Sequence, residues 1–345
     1  MNFPTIPPLD LLKGQQALDR QNRLTKPQGA LGDLETLSAR LVSMTANASY
    51  LPTRRAVIVC AGDHGVTAQG VSAYPSDVTA QMVLNFLAGG AAVNVLARQM
   101  NARVTVVDAG VKVDLPPHPD LVQGKIGYGT HDFTVEPAMS FQQAQASLEL
   151  GMRVIADEIQ RGLDIVVVGE MGIGNTTSAS AIIAHLTNHT PAEVTGYGTG
   201  VSESARLNKI HKIERALLMH RPSPAQVLET VGGFEIGTMA GIMIGAASAR
   251  VPILLDGLIS TAAALIACVY CPTLPNYLIG GHQSAEPGHR VALAHLGLSP
   301  LLQLNLRLGE GSGAVLALPL VEAAMRTLHE MATFGEAGVS ESDAE

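Results

Sequence analysis

The chain has 345 residues, of which 47% are hydrophobic and 3% aromatic, and its formal net charge is -8 at pH 7. The length allows a sizeable core, and the acidic balance lacks the clustered lysines and arginines that displace counterions from nucleic acid, so nucleic acid is excluded as a partner. No apolar run reaches the roughly 18 residues that span a bilayer, and three cysteines cannot build a disulfide framework, which together indicate a cytoplasmic protein with no membrane partner.

Helical and strand-like segments alternate along the chain and predict the fold class. Residues 11–46 are predicted to be helical with a break at residues 26–29, and residues 314–331 form the last predicted helix. The apolar runs between them are continuous, which is typical of strands that are covered on both faces. This alternation predicts an α/β fold with a doubly wound, Rossmann-like parallel sheet. The predicted strands are residues 56–60, 104–107, 165–168 and 252–255, and the predicted crossover helices are residues 80–100 and 140–159.

The two ends of the chain are predicted to pair into a smaller helical lobe. Residues 1–50 and 314–334 would form this lobe, beside a large α/β catalytic domain made by residues 51–313. Residues 335–345 are small and acidic, and we expect them to be a flexible tail because they offer little apolar surface to bury.

Glycine-bearing turns follow the predicted strands, where an open parallel sheet binds its ligands. The turn from Gly169 to Thr176 has the G-x-x-x-x-G spacing of a P-loop, but Asn175 stands where the lysine belongs. Because that lysine serves a triphosphate, its loss favours a cradle of backbone amides and a helix N-terminus for a monophosphate. Alternatively, these glycines only permit a tight turn between a strand and a helix.

Two further features have both a functional and a structural interpretation. The glycine-rich turn at residues 195–200 precedes Lys209, which is either a second phosphate contact or one solvated charge on a helix. Glu310 lies between two glycines just before a predicted helix. It is either a carboxylate that favours the helix dipole or a base held where small neighbours leave room for a substrate.

Several other patterns are weak signals of chemistry. Ser312 is not in a G-x-S-x-G elbow, and neither H-E-x-x-H nor a G-x-G-x-x-G turn after the first strand occurs, so hydrolase, zinc peptidase and dehydrogenase functions are disfavoured. His282 and His289 are interpreted as polar loop residues rather than metal ligands. Cys268 and Cys271 form C-x-x-C in an alanine-rich helical context, which favours packing.

A hydrophobic stripe is also predicted on the helix that follows the first strand. Val78, Met82 and Phe86 are four residues apart, which is the spacing of a buried helix face. We expect these side chains to pack in the core unless a ligand enters there.

Taken together, the segments resemble the nicotinate-nucleotide–dimethylbenzimidazole phosphoribosyltransferase family. The motifs that carry the resemblance occur in family order over nearly the whole chain. They are RLTKPQGALG at 23–32, GDHGV at 62–66, VSAYP at 71–75, GEMGIGNTT at 169–177, GTG at 198–200, LDG at 255–257, SAE at 284–286 and RLGEG at 307–311.

The resemblance implies roles for individual residues. Glu310 would be the catalytic carboxylate, Glu170 the other active-site acid, and Lys209 the lysine on the phosphate side. Tyr74 and Met82 stand where other members carry smaller or polar residues. The implied nucleotide and phosphate contacts are Gly172, Gly174, Asn175, Thr176, Gly200, Lys209, Asp256, Gly257 and Ser284, and the implied base contacts are Tyr74, Gln81, Met82 and Leu308.

The resemblance also implies a reaction and its partners. A benzimidazole nitrogen would displace nicotinate from nicotinate mononucleotide, with Glu310 taking the proton, in a homodimer that acts on small molecules. Because the donor carries one phosphate and nicotinate leaves, no metal or other cofactor is expected. Another flat acceptor such as adenine or a phenol remains an alternative, as does a non-catalytic protein that binds the nucleotide or the base, against which the presence of Glu310 argues.

Overall fold

The computed structural model describes residues 3–198 and 200–340, and its centre is a parallel sheet. The strands are β1 (Arg55–Gly62), β2 (Ala102–Gly110), β3 (Leu121–Gln123), β4 (Ile165–Met171), β5 (Ile253–Leu255), β6 (Leu278–His282) and β7 (Pro300–Leu302). They form one seven-stranded sheet in the order β3-β2-β1-β4-β5-β6-β7, and every neighbouring pair is parallel. The predicted α/β fold class with a doubly wound parallel sheet is confirmed.

Helices cover both faces of this sheet. They are α1 (Leu11–Gln21), α2 (Asp33–Thr45), α3 (Asp77–Leu87), α4 (Ala92–Gln99), α5 (Phe141–Gln160), α6 (Asn175–Thr187), α7 (Pro191–Val194), α8 (Glu203–His220), α9 (Val227–Val231), α10 (Phe234–Ser248), α11 (Leu258–Tyr270), α12 (Pro287–His295), α13 (Ser312–Glu330) and α14 (Phe334–Ala337). Short 3-10 helices occur at Gly65–Gln69, Pro224–Gln226 and Leu274–Tyr277.

The central strands are buried because they are apolar throughout. All eight residues of β1 are buried, and β1 pairs with β2 on one side and with β4 on the other. The chain builds outward from β1 to β3 and then resumes at β4, so the strand order reverses between β1 and β4. Such a reversal opens a crevice at the carboxyl edge of the sheet, because the loops after the two strands diverge there.

Three strands escaped prediction, and all are short. The segments β3 and β7 have three residues each and β6 has five, including Gly280 and Gly281. Strand β3 ends in a glutamine and β7 begins with a proline, so neither gives the continuous apolar run that predicted the equally short β5, and paired glycines are typical of turns rather than strands. The four predicted strands are present as β1, β2, β4 and β5, although Pro252 lies just before β5.

The predicted helix over residues 80–100 is two helices, α3 and α4, separated at residues 88–91. Gly89 has φ 75°, a left-handed conformation that ends the first helix and that other residues adopt rarely. Asp77–Gln99 is the one stretch among the described residues whose length and composition would suit a membrane-spanning helix, a test that core helices of soluble proteins also pass.

The ends of the chain meet beside the sheet. Helix α2 packs against both α1 and α13, and Leu24 forms an isolated bridge with Thr333. Helix α13 also contacts β4 and β6, so it belongs to the cover of the sheet as well. The division into a helical lobe and a catalytic domain stays a prediction. Thr199 of the GTG motif and residues 341–345 of the predicted tail lie outside the described residues.

Candidate active site

A cavity of about 360 Å³ lies beyond the carboxyl ends of β4, β5 and β6. It is closed on one side by α3 and on another by the loop that leads into α13. Eleven of the predicted site residues line this cavity. They are Tyr74, Met82, Glu170, Gly172, Asn175, Thr176, Asp256, Gly257, Ser284, Leu308 and Glu310.

Four predicted site residues lie outside the lining of this cavity. Gly174 is the residue before α6 and faces Thr67 and His64 rather than the cavity. Lys209 is buried and contacts Thr176, which itself lines the cavity. Gly200 lines a neighbouring cavity of about 590 Å³, and Gln81 is exposed on α3.

Glu310 is held in an unusual backbone conformation. Its φ of 65° is left-handed, and the glycines on both sides have φ values of 88° and 92°. A left-handed glutamate costs roughly 1 kcal/mol, so the surrounding structure must impose it. The side chain is 5% exposed, and Oε2 accepts a hydrogen bond of 3.3 Å from the amide of Val93 at the start of α4. Burial raises the pKa of Glu310, the charge of Asp256 raises it further, and the Val93 amide lowers it.

Asp256 holds the turn that carries Glu310. Its Oδ2 accepts from the amide of Gly311 at 3.2 Å, and its Oδ1 accepts from the amides of Gly313 at 2.8 Å and Ala314 at 3.0 Å. His282 Nε2 lies 3.3 Å from the same Oδ1. Both carboxylate oxygens therefore satisfy the first amides of α13, where a negative charge is favoured by the helix dipole.

Glu170 is a buried acid near the end of β4. Its Oε2 accepts a hydrogen bond from Nδ2 of Asn175, the first residue of α6. Burial raises the pKa of Glu170 to about 8; the Asn175 hydrogen bond opposes this rise, while the charges of Asp256 and Glu235 add to it. At neutral pH the carboxyl group is therefore largely protonated.

Helix α6 starts at the cavity wall, with its amide end toward the cavity. No side chain caps it, and Thr176 of its first turn lines the cavity. Lys209 Nζ donates to Thr176 Oγ1 at 3.0 Å, and burial lowers the pKa of Lys209 to about 8, opposed by the charge of Glu286. Helix amides and one nearby cation form a suitable environment for an anion. Gly172 must remain a glycine here, because a Cβ would collide with the carbonyl oxygen of Gly62.

Sequence reasoning missed polar residues on the far wall. Glu286 Oε1 accepts from the amide of Gly198 at 2.8 Å, and Arg307 Nη1 donates to the carbonyl oxygen of Gly198 at 3.1 Å. All three line the cavity. They lie within the SAE, RLGEG and GTG motifs, so membership of those motifs was the signal that could have identified them.

The interpretation of His282 and His289 as polar loop residues is wrong. His282 ends β6, is 3% exposed and lines the cavity, while His289 lies in α12 and is fully buried. His289 Nδ1 accepts from the amide of Ser284 at 2.9 Å, and burial lowers the pKa of His289 to about 3. Because β6 was not predicted, the rule that sites follow strand ends could not be applied to His282.

The apolar stripe on α3 is divided between core and cavity. Phe86 is buried in the core, whereas Val78 and Met82 line the cavity. The expectation that all three pack as a core stripe is wrong for the latter two. The remaining lining residues, which no motif had assigned to the site, are Met171, Ile173, Leu258, Ile259, Ser260 and Gly309.

The remaining candidates for metal or thiol chemistry give little support to such functions. Across residues 3–198 and 200–340, no group of three or more His, Cys, Asp or Glu side chains could hold a metal ion. Cys268 and Cys271 are free thiols at the end of α11, and burial raises the pKa of Cys268 to about 12. A thiol with so high a pKa is a poor nucleophile at neutral pH.

Comparison with known proteins relates this chain to one enzyme family. A family model described as phosphoribosyltransferase matches residues 6–339. The nicotinate-nucleotide–dimethylbenzimidazole phosphoribosyltransferase of Roseiflexus sp. (strain RS-1) is 56% identical over 97% of this chain and 96% of its own, and that of Chloroflexus aggregans is 54% identical over 97% and 96%. The crystal structure of CobT from Thermus thermophilus superposes with a TM-score of 0.93 at 46% identity, covering 96% of this chain and 100% of that one.

Proposed function

The chain belongs to the nicotinate-nucleotide–dimethylbenzimidazole phosphoribosyltransferase family, and from this we propose how its cavity carries out the reaction. The enzyme transfers ribose 5-phosphate from nicotinate mononucleotide to 5,6-dimethylbenzimidazole in cobalamin biosynthesis, which yields α-ribazole 5′-phosphate and nicotinate. The observation that carries the proposed mechanism is the buried carboxylate of Glu310, which faces the α6 cradle across one cavity.

The nucleotide phosphate binds at the start of α6. Helix amides near Gly172 and Thr176 would donate to its oxygens, and Lys209 would supply a positive charge through or beside the Thr176 hydroxyl. Ser284 and Gly257 line the same cavity and would complete the contacts to the ribose phosphate. This arrangement uses amides and one cation, so it suits a monophosphate.

Glu170 and Asp256 face the ribose rather than the phosphate. Because its pKa is about 8, Glu170 at neutral pH can donate a hydrogen bond to a ribose hydroxyl. Asp256 brings a negative charge to the same wall. Negative charge there stabilises the positive charge that develops on the ribose as the bond to nicotinate lengthens.

Glu310 accepts the proton of the attacking base. The benzimidazole nitrogen forms a bond to the anomeric carbon while the bond to the nicotinate nitrogen breaks, and inversion converts the β linkage into an α linkage. The proton on the other benzimidazole nitrogen goes to Glu310, whose raised pKa makes its carboxylate a stronger base than an exposed glutamate.

Apolar residues bind the aromatic acceptor. Val78, Met82, Leu258 and Ile259 line the cavity, and Tyr74 and Leu308 extend its wall to the solvent, where they are 54% and 57% exposed. The transfer of a flat base of low polarity from water to such a wall lowers its free energy. Competition between 5,6-dimethylbenzimidazole and adenine or a phenol at equal concentration measures the preference for each acceptor.

The first experiment compares wild type with Glu310→Gln in metal-free buffer. Conversion of nicotinate mononucleotide and 5,6-dimethylbenzimidazole to ribazole phosphate and nicotinate is followed chromatographically. We expect wild type to turn over and the variant to lose roughly 10²- to 10⁴-fold in kcat, the usual contribution of a general base. Glu330→Gln, at the exposed carboxyl end of the same helix α13 and outside the cavity, is the matched control. A Glu310→Gln variant with the wild-type kcat would contradict the assignment.

The protein acts as a cytoplasmic homodimer in this proposal. Leu84 on α3 and Val95 on α4 are large apolar residues that are 46% and 53% exposed, and a second copy of the chain would cover them. Three free cysteines are consistent with a reducing compartment. Size-exclusion chromatography with light scattering should give about twice the 36.0 kDa mass of one chain, whereas a monomer mass at all concentrations would exclude the dimer.

A further inference from the structure

Three buried side chains that are linked by hydrogen bonds lie behind the cavity and have no role in the reaction described above. His64 Nε2 is 2.6 Å from Glu235 Oε1, and His64 Nδ1 is 3.0 Å from Ser178 Oγ. All three residues are 0% exposed. Burying a titratable pair costs free energy, so its presence in a tightly packed region calls for a functional explanation.

These residues do not form a hydrolytic triad, although the order of acid, imidazole and hydroxyl is the same. Ser178 and His64 are fully buried, and neither lines the cavity that contains Glu310. A substrate would have no access to the hydroxyl group. The three side chains must therefore serve the structure of the protein rather than react with a substrate.

The three residues connect the two sides of the crevice where the strand order reverses. His64 follows β1, Ser178 lies in the first turns of α6, and Glu235 begins α10. The Cβ of His64 packs against Gly174, since a Cβ added to that glycine would lie 3.3 Å from it. The start of α6, which forms the phosphate cradle, is thus joined to His64 just after β1 by one hydrogen bond and one packing contact. The same Ser178 hydroxyl lies 3.4 Å from the carbonyl oxygen of Gly232, just before α10, so it also links α6 to the segment that carries Glu235.

The same connection reaches Glu170. Asn175, the first residue of α6, donates the hydrogen bond that orients the Glu170 carboxyl group. Oε2 of Glu235 lies against Gly62 at the end of β1, where an added Cβ would come within 2.7 Å of it, and has no hydrogen-bond partner among the described residues. The charge of Glu235 contributes to the raised pKa of Glu170. A shift of α6 would disturb the cradle and Glu170 together.

We propose that Glu235, His64 and Ser178 form a positioning unit that holds the start of α6 against β1 and places a carboxylate behind Glu170. The unit keeps the cradle and the Asn175–Glu170 hydrogen bond preformed before the nucleotide binds. None of its members touches the substrate. This inference rests on the proposed function only for its catalytic consequence, because the structural coupling exists without turnover.

The test compares Ser178→Ala with Ser180→Ala. Both serines are buried in α6, but Ser180 Oγ has no hydrogen-bond partner among the described residues, so its removal breaks no link to β1. Hydrogen–deuterium exchange of the peptide over residues 172–180 should be roughly fivefold faster in Ser178→Ala than in wild type, the scale of one buried hydrogen bond, and unchanged in Ser180→Ala. The KM for nicotinate mononucleotide should rise by a similar factor in Ser178→Ala alone.

A second variant, Glu235→Gln, keeps the shape and one acceptor oxygen but removes the charge. Glu170 faces Cys60 across the β1–β4 pair, Asp256 after β5, and Glu235. Because the charge of Glu235 raises the pKa of Glu170, the variant should shift the titration profile of the Glu170 carboxyl group to lower pH, which loss of packing alone would not do. Infrared difference spectroscopy with Glu170→Gln as the blank follows this carboxyl group separately from Lys209.

Equal exchange in the two serine variants would overturn the inference, whatever their turnover, and so would a Glu235→Gln profile that overlies that of wild type. A wild-type protein that transfers no ribose phosphate would instead contradict the proposed function, while the exchange comparison would still decide the structural coupling.

Discussion

Lys209 does not line the cavity, and its ammonium group acts there through the hydroxyl group of Thr176. Its Nζ donates to Thr176 Oγ1, and Thr176 faces the cavity. Lys209→Ala should weaken binding of nicotinate mononucleotide by roughly 10- to 100-fold, because hydrogen bonds to charged groups contribute about 1.5–3 kcal/mol. Isothermal titration calorimetry measures this affinity.

Lys212→Ala is the matched control, since Lys212 lies one turn further along α8 and donates to Gln69 instead. Equal affinities for the two variants would remove Lys209 from the phosphate site.

At the scale of the element, the start of α13 depends on a residue that is distant in sequence. Asp256 follows β5 and satisfies three amides at residues 311, 313 and 314. Asp256→Asn leaves one acceptor oxygen and turns an amide group toward these donors. The free energy of unfolding should fall by about 1–3 kcal/mol, as expected when buried donors lose a charged partner. Asp33→Asn, which changes an exposed aspartate in the first turn of α2, should lower it by under about 1 kcal/mol.

Chemical denaturation of both variants measures this difference. An Asp256→Asn protein as stable as Asp33→Asn would show that the amides of α13 find other partners. The start of α13 also links Asp256 to Glu310, because the turn that Asp256 holds is the one in which Glu310 adopts its left-handed conformation. Loss of activity should therefore accompany the loss of stability.

At the scale of the whole molecule, burial of Glu170 makes stability depend on pH. Its pKa is about 8 in the folded chain against an ordinary value of 4.5, so the folded state keeps a proton that the unfolded state loses. The resulting stabilisation is fully present below about pH 4.5 and is lost as pH rises through about 8. Glu170→Gln imitates the protonated side chain, so its melting temperature relative to wild type should increase from pH 5 to pH 8.

Lys209 also has a pKa near 8, but it titrates in both proteins and cancels in this difference. Glu149→Gln, a partly exposed change on α5 outside the cavity, is the control for the general effect of replacing a carboxylate with an amide. A difference between Glu170→Gln and wild type that does not vary with pH would mean that Glu170 is ionised in the folded protein.

Sequence patterns alone were enough to predict the fold class, four of the seven strands and the family. Apolar runs of four or five residues predicted β1, β2, β4 and β5, because a strand buried on both faces is hydrophobic throughout. The ordered motifs identified the family and eleven residues that the structure brings to one cavity. The local pattern around Glu310 left two interpretations open, and its role as a base comes from the family resemblance rather than from its neighbouring glycines.

Contacts between residues far apart in sequence could be read only from the folded molecule. Short strands such as β6 exist because they complete a sheet, and with β6 came the position of His282 at the cavity wall. Asp256 beneath α13, Lys209 behind Thr176, and the connection from Glu235 through His64 to Ser178 likewise join segments far apart in the chain. Burial, and with it the raised pKa of Glu170, arises from the packing of the whole molecule and so is absent from any local sequence pattern.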